Sequence, residues 1–145
     1  MDDRYGRGLE AYASQFGIAE SAVAAYFTER YGERFGEEAI NAAGGAWNDD
    51  ELSLRDRSIV VVASLITQGG VDDRLRGHVR WALDHGVTAA ELDAIIALLA
   101  VYVGYPRASM AGEIIQEELN AVADGRGEER GAANRLGADG PAQTE

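Results

Sequence analysis

The chain has 145 residues and a formal charge of −12, from 13 basic and 25 acidic residues. All of the basic residues are Arg, and neither Lys nor Cys occurs. That rules out Schiff-base and P-loop lysines, thiol nucleophiles, disulfides and thiolate metal sites; the two His, His78 and His85, are too few for a three-His zinc site. An acidic balance argues against nucleic acid and against anionic membranes. The opening MDDRYGRGLE has no apolar core of a signal peptide, so a cytoplasmic location is the default expectation. The longest apolar run, Ile59 to Ile66, is far too short to span a bilayer.

No stretch alternates with period two, so the chain reads as all-α. Residues 1–16 form an N-terminal segment in which Leu9, Tyr12 and Phe16 could pack as a short helix. Residues 17–123 read as one helical domain of about six helices. The spacing of Val23, Tyr26, Phe27 and Tyr31 predicts a helix over 20–31, and a shorter one is predicted over 37–43. Gly44-Gly45 and the polar stretch from Asn48 to Glu51 then read as a loop carrying Trp47.

The later helices have sharper boundaries. Ser53 with Asp56 is a capping signature before Ile59–Ile66, which is apolar on nearly all sides and reads as a buried central helix ending at Gly69-Gly70. A helix from Asp72 stops at Gly86, a common C-terminal glycine. Thr88 with Glu91 makes a capping box for a helix whose stripe is Leu92, Ile95, Ile96, Leu99, Tyr102 and Val103. Gly104 ends it, and Pro106 suits the first position of a last long helix with a narrow face of Ala108, Ala111, Ile115 and Leu119. From 124 to 145 the composition turns to Gly, charge and Ala, and a disordered tail is predicted.

Leu75, His78, Val79 and Ala82 share one helical face, with Trp81 and His85 beside it. Imidazole is the side chain that titrates near neutrality without perturbation, so in an enzyme His78 leads as general acid/base; a hydrogen-bonded core His is the plainer alternative. His85, at a helix end, is read as complementing the C-terminal dipole. Arg57 precedes the apolar run and reads as a carboxylate clamp, or as an ion-pair partner of Asp56, Asp72 or Asp73. Tyr102 on its apolar stripe reads as a proton donor or a core residue, and Trp47 as a pocket lid or a loop anchor. The acidic pairs, Glu117-Glu118 among them, read as solvated helix ends with no metal-ligand spacing.

The stretches WNDDELSLRDRS, VASLITQGG, LRGHVRWALDHGVTAAEL and VYVGYPRA, from Trp47 to Ala111, resemble the carboxymuconolactone decarboxylase family. The combination H-x-x-x-A-L-x-x-G-x-T at 78–88 and Y-x-G-x-P at 102–106 carries most of the likeness. The resemblance implies an all-α, alkylhydroperoxidase-like helical bundle that forms homo-oligomers, often trimers or hexamers, with sites near subunit contacts and no cofactor. One branch of the family carries C-x-x-C-x-x-x-H; with His78 as that His, the cysteine positions hold Val71 and Arg74, which excludes thiol peroxidase chemistry. The decarboxylase branch carries E-L-x-x-H and an earlier Arg-Ser that matches Arg57-Ser58. This chain departs from it at Arg74 and Ala94, where Glu is usual, and at Leu98, where His or Gln is usual.

The resemblance therefore implies a cofactor-independent lyase on a small carboxylated lactone or related anion. His78 would be its acid/base and Tyr102 a donor to the developing oxyanion, with Arg57 and Arg74 as anion clamps and Trp47 flanking the substrate. A tailoring decarboxylase, cyclase or isomerase of secondary metabolism on the same fold is one alternative. A non-catalytic oligomeric binding protein is the other.

Overall fold

A computed structural model describes residues 3–125, and the tail predicted over 124–145 lies outside that range from residue 126 onward. Seven α-helices and no strand occur among the described residues. They are grouped into two units, divided between Glu51 and Leu52.

The first unit holds α1 (Arg4–Phe16), α2 (Glu20–Tyr31) and α3 (Glu33–Ala46). Asp3 caps α1 by accepting from the Gly6 amide at 2.8 Å, and Gly17 closes it in the left-handed region at φ 64°. The short N-terminal helix considered above is thus a regular element. Val23, Phe27 and Ile40 form the core, with Leu9, Tyr12 and Phe16 packed against it. Tyr12 meets Phe27 edge-on at 4.6 Å, the geometry that aromatic quadrupoles favour.

α3 begins four residues earlier than the predicted 37–43 and runs through Gly44-Gly45, so the expected glycine loop is helical. The reason is a close crossing of α1 and α3. A Cβ on Gly44 would lie 1.8 Å from the Arg4 carbonyl oxygen, and one on Gly8 would lie 1.8 Å from that of Ile40. Backbone meets backbone there, and packing outweighs glycine's poor helix propensity.

The second unit holds α4 (Leu54–Gln68), α5 (Asp72–Asp84), α6 (Ala89–Val103) and α7 (Tyr105–Ala123). Ser53 Oγ accepts from the Asp56 amide at 3.0 Å, as the capping signature predicts. Thr88 and Glu91 form the complete capping box, and Arg55 reaches across to pair with Glu91. Pro106 takes the second rather than the first position of α7. Val62, Ile66, Leu75, Val79, Leu92, Ala111 and Ile115 are among the buried core residues.

α4 is not enclosed on all sides as its composition suggests: Val62 and Ile66 are buried, whereas Val60 is exposed. α6 is apolar around most of its circumference, yet Leu98, Val101 and Tyr102 are 61%, 73% and 78% exposed. No helix among the described residues is long and apolar enough to cross a membrane.

Candidate functional site

The site grows from one face of α5. Leu75, Val79 and Ala82 anchor that helix in the core. The same turns carry His78, Trp81 and His85 in a row, because positions three to four apart on a helix are neighbours. The Trp81 indole is buried and lies 5.8 Å from the His78 ring and 4.9 Å from the His85 ring, centroid to centroid. His78 is half-buried.

The first turn of α4 supplies the other side. Once Ser53 has set where the helix starts, Arg57 and Ser58 fall on its inward face, 7% and 1% exposed. Ser58 Oγ lies 2.7 Å from His85 Nδ1, and the Leu54 carbonyl accepts a hydrogen bond from the same imidazole. His85 therefore ties the end of α5 to the start of α4. That is a more specific task than the dipole complementation read from its position at a helix end, and its partner is remote in sequence.

Burial lowers the pKa of both imidazoles, whereas nearby charge acts on them in opposite directions. Desolvation lowers the His78 pKa below its ordinary value, and the Arg74 guanidinium one helical turn earlier lowers it further. Burial also pulls the His85 pKa down, against opposing pulls from Asp84 and from the bond to Leu54. Both rings are therefore neutral at pH 7, and a neutral His78 can accept a proton. No group of His, Asp and Glu suited to holding a metal ion occurs among the described residues.

The structure thus links six residues singled out by sequence or lying next to them. Arg57 adjoins Ser58 in the chain, Ser58 meets His85, and Trp81 stands between His85 and His78; the exposed Arg74 acts electrostatically on His78. Tyr102 is not gathered into this set: its ring is exposed on α6, whereas the apolar stripe suggested burial. Trp47 is half-buried at the C-terminal end of α3 and belongs to the first unit. Glu118 corrects another expectation. Far from being a solvated helix end, it is fully buried on α7, with Oε1 2.9 Å from Arg80 Nε of α5. A cavity of about 560 Å³ elsewhere in the second unit is lined by none of the five predicted site residues.

Comparison with known proteins gives two matches. Residues 35–117 match the carboxymuconolactone decarboxylase family. Over 76 residues the chain is 34% identical to a 4-carboxymuconolactone decarboxylase from Acinetobacter baylyi (strain ATCC 33305 / BD413 / ADP1). That stretch covers 52% of this chain and 56% of the relative, so the chain spans little more than half the length of the relative it matches.

Proposed function

The chain belongs to the carboxymuconolactone decarboxylase family, and from that membership we propose that it is a decarboxylase-like lyase acting on a small carboxylated lactone or a related anion. The observation that carries the proposal is the half-buried His78, kept neutral by its surroundings at the position where the decarboxylase branch has its histidine. Loss of carbon dioxide from a γ-carboxylated lactone leaves the electron pair delocalised as a dienolate. A proton must then be delivered to carbon, and negative charge on oxygen must be stabilised meanwhile. His78 takes up a proton from water and passes it to that carbon, and its lowered pKa makes the imidazolium, once formed, a readier donor. Arg57 and Arg74 hold the substrate's carboxylate, and their fixed charge favours the enolate over the neutral product.

Tyr102 enters the same reading through assembly. A tyrosine exposed on an apolar helix face beside Val101 and Leu98 is placed to be covered by a second copy of the chain, where its hydroxyl can serve a neighbour's oxyanion. We assign a trimer or hexamer to the assembled state.

Carbon dioxide release from 4-carboxymuconolactone tests the reaction. The wild-type protein should release it, and His78→Ala should lose most of the rate. Absence of release by the wild type, or full activity in His78→Ala, refutes this reading. Light scattering of wild type and Val101→Glu tests the assembly, with the variant expected to be the smaller species.

A further inference from the structure

The cavity away from His78 has the makings of a second site. Its volume of about 560 Å³ falls within the usual range for small-molecule pockets. Its walls come from all four helices of the second unit, α6 contributing Val103 at its end. Leu65 lies near the end of α4 and Leu75 on α5, and Met110 and Ile114 lie along α7. These side chains offer an apolar enclosure with no acid/base group among them.

Polar groups are few and specifically placed. Arg107, in the first turn of α7, lines the cavity and is exposed, which places it on the open side. Its Nη1 donates to the Gln68 carbonyl, the last of α4, at 2.5 Å. Gly69 makes this possible. A Cβ at that position would lie 1.7 Å from Nη1, and the backbone there has φ +66°. No side chain at 69 is compatible with the guanidinium where it sits. A planar guanidinium anchored by one nitrogen keeps further donors in a fixed fork. Among the described residues Arg107 has no carboxylate partner. Asp72 is the acidic residue lining the cavity, and its charge disfavours a second anionic group on a ligand.

We propose that this cavity binds an amphipathic monocarboxylate, with the carboxylate on Arg107 and an apolar ring or branched chain between Leu75 and Ile114. The site is independent of the decarboxylase reading, since it uses neither His78 nor Arg57. A lactone bearing several carboxylates is the wrong ligand for it, because Asp72 repels the extra charge.

The test is titration calorimetry of the full chain with 2-naphthoate, its uncharged analogue 2-naphthylmethanol, and naphthalene-2,6-dicarboxylate. Saturable 2-naphthoate binding is expected. Arg107→Met should weaken it about tenfold or more, the size of one lost charge-assisted hydrogen bond, and leave 2-naphthylmethanol binding within about twofold. Ile114→Trp should abolish binding of both, with the helical circular dichroism retained as proof of folding. The dicarboxylate should bind more weakly than 2-naphthoate, and Asp72→Asn should narrow that gap. His78→Ala should leave 2-naphthoate binding unchanged, which separates this site from the proposed reaction centre. No saturable binding of 2-naphthoate overturns the proposal, as does binding that survives Arg107→Met unchanged or binding that is lost in His78→Ala.

Discussion

Ser58 Oγ and His85 Nδ1 stand 2.7 Å apart, which joins the buried start of α4 to the end of α5. Ser58 is 1% exposed, so its hydroxyl is committed to this bond in the folded protein. Ser58→Ala leaves Nδ1 of the half-buried His85 without this partner and should cost about 1 kcal/mol, the low end for an unsatisfied polar group because the ring is partly reached by water. Urea unfolding checks it. The adjacent Arg57 depends on the same turn, so if Arg57 clamps the substrate, Ser58→Ala should raise KM more than it lowers kcat. A loss confined to kcat would break that link.

What sequence made visible here was mostly local. Ser53, Thr88 with Glu91, and Gly86 mark helix ends because capping is settled within a few residues, and those boundaries stand in the structure. The Ser58–His85 bond spans 27 residues, and periodicity shows a face without naming what meets it. The same blindness explains Glu118, whose neighbour Glu117 does reach outward to Arg76 at 2.7 Å, as a solvated pair would. Gly44 has the look of a breaker in sequence because its use is a crossing with Arg4, 40 residues away in the chain. For Tyr102 the apolar stripe of α6 is legible, but the described residues do not cover all of that stripe.

The two imidazoles give stability a definite pH dependence. Both pKa values lie below their ordinary 6.5 in the folded protein. As pH falls below 6.5 the unfolded chain takes up protons that the fold resists, so stability is fullest above 6.5 and declines from there toward the lowered folded values. Thermal unfolding at pH 7.5 and 5.5 should show the loss, and His78→Gln should reduce it. Arg74→Gln removes a like charge from beside His78, so the His78 pKa should rise. Its ring proton titration by NMR should move upward, and any acid limb of kcat/KM that reports His78 should move with it. A downward shift would contradict the Arg74 effect.

Arg80 and Glu118 form a pair whose members are unequally buried: the Arg80 side chain is 30% exposed, that of Glu118 1%. Removing the cation leaves a carboxylate with no route to water. Arg80→Ala should cost about 3 kcal/mol, toward the low end for a broken buried pair because Arg80 is partly solvated. The double variant Arg80→Met, Glu118→Leu removes both charges while keeping bulk. It should recover most of that loss, since two charges no longer need to be desolvated. Denaturant midpoints of the three proteins decide the matter. A double variant as unstable as Arg80→Ala would mean that packing, and not the stranded charge, sets the cost.

Glycines in this chain divide by what a methyl group would meet, and substitution should sort them. Gly8→Ala and Gly44→Ala each drive a Cβ to 1.8 Å from a carbonyl oxygen of the opposing helix, so α1 and α3 must separate. The cost should be about 3 kcal/mol or more, at the upper end for overpacking because rigid backbone is the obstacle. Limited proteolysis within residues 4–16 should accelerate in both. Gly77 lies inside α5, and a Cβ there meets nothing within 4 Å. Gly77→Ala should instead stabilise the protein by about 0.5–1 kcal/mol, because the unfolded chain loses freedom and the helix gains propensity. Stabilisation by Gly44→Ala would mean that the close crossing of α1 and α3 is absent in solution.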